Sequence, residues 1–116
     1  MWRDDALLCD ILLAAKKLIK FTAGVSQQEF ENSDLLQSAV IRELGVIGEA
    51  ARAMSLEFQS AHAEIPWHEI IGMRNRLIHE YSRVDLVRVW DTVRHDIPGL
   101  VSMLEPLQDS ESKGLD

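Results

Sequence analysis

At 116 residues, with 47% hydrophobic and 27% charged side chains, the chain has the size and balance of one compact domain and lacks the bias of a disordered or fibrous protein. Its single cysteine, Cys9, excludes an internal disulfide, and no apolar run reaches the roughly 20 residues a membrane helix needs. The formal net charge of -7 opposes global attraction to nucleic acid, but between Ile70 and His95 five arginines face three acids, whereas from Glu105 onward four acids face one lysine.

In chain order, the opening MWRDDALLCD carries acids where a secretory leader is basic, so a reducing cytoplasm is the expected location. Leu7, Leu8, Ile11, Leu12, Ala15, Leu18 and Ile19 recur at helical spacing and predict a first amphipathic helix over Asp5 to Phe21. Asp4 and Asp5 at its start and Lys16, Lys17 and Lys20 at its end suit the helix dipole, and Gly24 marks its stop. After a polar connection from Ser26 to Ser33, Asp34 is expected to cap a long second helix with Gln37 three residues on. Its apolar line runs Leu36, Val40, Leu44, Ile47, Ala51, Met54 and Phe58. Gly45 and Gly48 inside it predict a neighbour close to its backbone.

Pro66 suits the first turn of a third helix, Trp67 to about Glu80. Asp85 caps a fourth, whose apolar positions from Leu86 to Leu104 keep phase through Pro98, where a kink or split is expected. Residues 1–108 then form one all-α domain, an antiparallel bundle of four main helices, and residues 109–116 a flexible acidic tail.

Metal sites are poorly supported. His68-Glu69 begins like a zinc-protease helix but has Gly72 where the second histidine belongs, and His62, Glu64 and Cys9 lack partners at ligand spacing. No metal or other cofactor is expected. Glycine-rich phosphate loops and a serine nucleophile elbow are absent, which excludes nucleotide hydrolases of the usual folds.

The stretch MRNRLIHEY, Met73 to Tyr81, is the unusual one. On a continuous helix Arg74 and Tyr81 share one face, and Asn75 and His79 another, while Arg74 and His79 diverge by roughly 140°. They meet at one substrate only if the arginine wraps around, the helix end unwinds near His79, or two copies of the chain face each other across a twofold axis. The residue types suit attack on an RNA phosphodiester by its own 2′-hydroxyl: histidine exchanges protons near neutral pH, and arginine stabilises phosphoryl charge without a metal. Asn75 would hold the imidazole or a phosphate oxygen. Arg76 has Glu80 four residues on as an expected ion-pair partner. Tyr81 is open to three roles, stacking on a base, accepting a modifying group or covering the core edge, while Trp67 and Trp90 are assigned to packing.

Arg74, His79 and Tyr81 stand in the spacing R-x4-H-x-Y, which resembles the signature of the HEPN superfamily and, within it, the HepT-like toxins. DALLCDILLAAKKLIKF, AVIRELGVIGEAA, PWHEIIGMRNRLIHEY and VDLVRVWDTV resemble that family in the same order, covering roughly Arg3 to Leu107. The resemblance implies an all-helical homodimer, the toxin of a type VII toxin-antitoxin system. It would cleave tRNA or mRNA as a metal-independent endoribonuclease, with Arg74 and His79 as catalytic pair in a cleft lined by both subunits. It also implies an MntA-like minimal nucleotidyltransferase as antitoxin, transferring AMP from ATP onto Tyr81. Arg42 and Glu49, seven apart in the second matching block, are further candidates, with Glu49 orienting Arg74 or Arg42. The alternative reading is an inactive nucleotide-binding or substrate-docking partner of the transferase.

Overall fold

A computed structural model describes residues 2–79 and 83–114. The fold is all-helical apart from one minimal two-stranded ladder. Helix α1 spans Trp2–Thr22, α2 Gln27–Glu31, α3 Asp34–Ala53, α4 Leu56–Ala61 and α5 Trp67–Leu77. The strands β1 (Ile78–His79) and β2 (Arg83–Val84) follow, then α6 (Leu86–Asp91), a π-helical turn (Thr92–Asp96) and α7 (Ile97–Gly114). Helix α1 packs against α3 and α7, and α3 packs on its other side against α5.

The core follows the apolar spacing. Leu8, Ile11, Leu12, Ala15 and Leu18 of α1 are buried against Val40, Leu44, Ile47 and Ala51 of α3 and against Ile97, Leu100, Val101 and Leu104 of α7. Truncating a buried leucine or isoleucine of this kind to alanine costs about 2–5 kcal/mol. Trp67 and Trp90 serve packing, as expected. Trp67 is buried edge-on to Phe58 at 5.9 Å and donates its indole N–H to the His62 carbonyl, and Trp90 lies 5.4 Å from the buried ring of Phe30.

Helix α1 ends where Gly24 takes φ +72°, a left-handed conformation that glycine adopts without steric cost. Within the polar connection, α2 forms around a reciprocal cap: Glu29 N–H donates to Ser26 Oγ and Ser26 N–H to the Glu29 carboxylate. The backbone N–H and then the hydroxyl of Ser26 hold the Glu29 carboxyl below its ordinary pKa. The cap's contribution is thus present above the ordinary carboxylate range and lost as pH falls through the lowered value.

Several sequence expectations are corrected. Ser33, not Asp34, caps α3, its Oγ accepting from Leu36 N–H, while Gln37 donates to the carbonyls of Phe30 and Glu31. The long second helix is two. Met54 is extended, and Ser55 begins α4 by accepting Phe58 N–H while its own N–H (2.9 Å) and hydroxyl (2.7 Å) donate to the buried Asp4 carboxylate. That long-range staple gives the backbone of Ser55 a partner outside the helix, so the helix breaks although the apolar spacing continues. The third helix stops at Leu77 rather than Glu80, for reasons given below.

Asp85 does cap α6, accepting Arg88 N–H. Just before Pro98 lies the π turn, where Ile97 N–H reaches back to the Thr92 carbonyl. Proline lacks the N–H that would bond Arg94, and its ring crowds that carbonyl. The backbone of α7 is helical to Gly114, within the stretch 109–116 expected as a tail.

Asp4→Ala removes both acceptors of the Ser55 staple and is expected to destabilise the fold by about 1–3 kcal/mol, read as a lowered urea midpoint. An unchanged midpoint would mean that solvent replaces the carboxylate without loss.

Candidate active site

The site is built where α3 and α5 run close together. The carbonyls of Ile70 and Ile71 stand 3.5 Å from the position a Cβ of Gly48 would occupy, so the glycine-marked close neighbour expected from sequence is α5. One turn away along α3, Gly45 faces the side chain of Arg74, with Cδ 3.3 Å and Nε 3.6 Å from where its Cβ would be. Arg74 therefore lies across α3. It is exposed, and among the described residues it has no hydrogen-bond or ion-pair partner.

Arg74 forms one wall of an open groove of about 880 Å³. Leu7 and Asp10 of α1 line it, with Ser38, Ile41, Arg42, Gly45, Val46, Glu49 and Ala50 of α3. The structure thus brings Arg42, Glu49 and Arg74 together, and the seven-residue spacing of Arg42 and Glu49 does place both on the groove face. Sequence reading missed Asp10 and Ser38 as lining residues. Nothing in their local pattern separates them from solvated positions, because only the packing of α1 on α3 turns them toward one hollow.

The charges around the groove are unequally engaged. Arg42 donates to Glu43 Oε2 at 2.8 Å, and the Glu43 side chain is only 6% exposed, so Arg42 neutralises a buried carboxylate. Among the described residues Glu49 is exposed and makes no ion pair. Arg76 turns away from the groove: it bonds the Glu69 carbonyl and lies 3.6 Å from the Glu69 carboxylate. Its expected partner, Glu80, lies outside the described residues, as does Tyr81. Asn75 is exposed on α5 and is not part of the groove lining. Among the described residues no three His, Cys, Asp or Glu side chains gather as a metal site.

The end of α5 changes the geometry expected for His79. Ile78 is extended at φ -105°, ψ 113° and still donates its N–H to the Arg74 carbonyl. Ile78 then pairs with Val84 and His79 with Arg83, while Asp85 N–H donates to the Leu77 carbonyl. These bonds take up the backbone groups that would otherwise continue the helix. His79 is therefore on a strand, and neither the 140° divergence of a continuous helix nor the face-sharing expected of Asn75 with His79 applies; the face-sharing expected of Arg74 with Tyr81 lies outside the described residues. Unwinding of the helix end, one of the three ways considered for bringing Arg74 and His79 to one substrate, does occur before His79.

A family described as "Ribonuclease HepT-like" matches residues 11–107. The chain is 40% identical over 99 residues to "Probable ribonuclease HepT" of Thermococcus cleftensis, covering 85% of this chain and 90% of that protein. It is 39% identical over 100 residues to "Putative RNase MJ1380" of Methanocaldococcus jannaschii, covering 86% and 92%. With "Putative RNase MJ0125" of the same organism it shares 38% identity over 109 residues, covering 93% and 94%. No solved structure matches it. The chain belongs to the HepT-like ribonuclease family, and that membership supports a ribonuclease. No helix among the described residues is long and apolar enough to cross a membrane.

Arg42→Ala leaves the Glu43 carboxylate without its cation and is expected to cost about 1–3 kcal/mol in urea unfolding, with Glu43→Gln in the same chain recovering part of the loss. If Arg42→Ala unfolds like the unsubstituted protein, Arg42 is free for the groove.

Proposed function

We propose that the protein is the toxin of a type VII toxin-antitoxin pair, a metal-independent endoribonuclease of tRNA or mRNA whose reaction runs through Arg74 and His79. One observation carries the reading: in a chain of a ribonuclease family, Arg74 stands exposed and unpaired among the described residues, on a groove, while the neighbouring Arg42 and Arg76 are engaged by Glu43 and Glu69. An unpaired guanidinium presents its donor fork to a phosphodiester without first breaking an ion pair.

In this reading the 2′-oxygen of the RNA attacks the adjacent phosphorus. The bond from phosphorus to the 5′-oxygen breaks, leaving a 2′,3′-cyclic phosphate and a 5′-hydroxyl. The His79 imidazole takes the 2′-hydroxyl proton, and the leaving oxygen is protonated by solvent or a second imidazole. Arg74 stabilises the charge that gathers on the non-bridging oxygens. Asn75 and Glu49 act in support, Asn75 on a phosphate oxygen or the imidazole and Glu49 on an arginine, with Arg42 lining the groove while held by Glu43.

A second copy of the chain completes the cleft. Leu7, Ile41 and Val46 give the open groove apolar walls beside its charges, a surface suited to a twofold contact. The cognate partner is an MntA-like nucleotidyltransferase. The Tyr81 phenol oxygen attacks the α-phosphorus of ATP, pyrophosphate leaves, and the phenolic proton goes to solvent. The attached phosphate puts negative charge where the RNA backbone must enter, and the adenosine fills space there.

With tRNA and an mRNA transcript under EDTA, the unmodified protein is expected to cleave, and Arg74→Ala and His79→Ala each to lose about 100-fold or more. Cleavage surviving in both variants overturns the site. No cleavage by the unmodified protein favours the docking alternative. Incubation with the cognate transferase and ATP is expected to add one or more AMP masses to the intact protein, and the same gain on Tyr81→Phe overturns the acceptor assignment.

A further inference from the structure

We infer that Gly45 is a positioning residue for Arg74, its missing side chain leaving the track along which the arginine stem crosses α3. The inference rests on the role given to Arg74 above. A Cβ at Gly45 would stand 3.3 Å from Arg74 Cδ, closer than the roughly 3.5–4.0 Å at which carbon atoms attract best, and 3.6 Å from Nε. A side chain at position 45 and the observed stem of Arg74 therefore compete for one space.

Which of the two would yield is decided by their surroundings. Gly45 is fixed in the middle of α3, whereas Arg74 is exposed and makes no hydrogen bond or ion pair among the described residues. The arginine moves. Arg42 stands three residues before Gly45 and Glu49 four after it, and both line the same groove. With Cδ and Nε over Gly45, the stem passes between the levels of the two charged side chains. An arginine laid against helix backbone has fewer rotamers to lose on meeting a phosphate, and displacement of its stem by even part of an ångström misplaces the guanidinium.

Helix packing explains Gly48 but not Gly45. Gly48 faces the backbone carbonyls of Ile70 and Ile71, so it sets how near α5 can come. Among the described residues, and apart from the backbone of α3 itself, the Cβ position of Gly45 meets only the Arg74 side chain within 4 Å. The contact between the helices does not need a glycine at 45; the conformation of Arg74 does.

Gly45→Ala is the test, because alanine favours the helix while its methyl group displaces the stem. The variant is expected to melt no lower than the unsubstituted protein, yet to lose about tenfold or more in kcat on tRNA and an mRNA transcript under EDTA, with KM changed less than about twofold. Gly48→Ala, whose Cβ would be at ordinary contact distance, is expected to keep its activity. Independently of cleavage, the Arg74 Nε–H resonance, identified by its loss in Arg74→Lys, is expected to shift in Gly45→Ala and not in Gly48→Ala. An unmoved resonance overturns the inference, as does full cleavage by Gly45→Ala where Arg74→Ala is inactive. If Arg74→Ala cleaves normally, the catalytic role of Arg74 fails instead, and the resonance still decides the positioning.

Discussion

The close approach of α5 to α3 at Gly48 is the contact on which the rest of the groove depends. A bulky side chain there would lever the two helices apart, since the Ile70 and Ile71 carbonyls lie at van der Waals distance from its first carbon. With the helices this close, a residue one turn along α5 can lay its stem on α3, and Arg74 does so at Gly45. Each glycine costs an isolated helix about 1 kcal/mol relative to alanine. The two leave room for different neighbours: at Gly48 a side chain larger than a methyl group would meet backbone, and at Gly45 even a methyl group would press on a side chain.

The second determinant is where α5 stops. Arg74 lies in its last turn, where a cation is favoured by the helix dipole, and Ile78 then turns extended to pair with Val84. Val84 packs against the core from the other strand, so the ladder is tied to the same apolar cluster that holds α5 down through Ile70, Met73 and Leu77. Asp85 both donates its N–H to the Leu77 carbonyl and starts α6 with its side chain. The end of one helix and the beginning of the next are thus fixed by neighbouring bonds, and the His79 backbone sits within that fixed segment.

How much of this was legible in the sequence depended on how local the cause is. Apolar spacing located α1, α3 and α7, because helical burial repeats within each segment whatever packs against it. The Asp85 cap and the Gly24 stop were equally local. The break at Ser55 was not, since its cause is a carboxylate 51 residues away on α1. The stop at Leu77 depended on pairing of Ile78 with Val84 and of His79 with Arg83, and the apolar Leu77-Ile78 pair reads as well for a helix as for a strand. Within the site, Arg42 and Glu49 could be placed on one face by spacing, whereas the engagement of Arg42 by Glu43 needed the burial of Glu43 to be seen.

That engagement resolves an apparent conflict between an acidic chain and an anionic substrate. At physiological salt, charges farther apart than about 8 Å are largely screened, so the formal -7 spread over the surface matters less at the groove than its nearest ions. Of Arg42, Arg74 and Arg76, two are satisfied by acids that belong to their own local structure, Arg42 by the buried Glu43 and Arg76 by Glu69. Neither is available at low cost, because releasing Arg42 strands a buried carboxylate and releasing Arg76 gives up its bond to the Glu69 carbonyl as well. Arg74 has no such bond among the described residues and lies against α3 at Gly45. A cation placed by steric fit rather than by a counter-ion keeps its full charge for whatever enters the groove, which is the property a phosphate-handling residue requires.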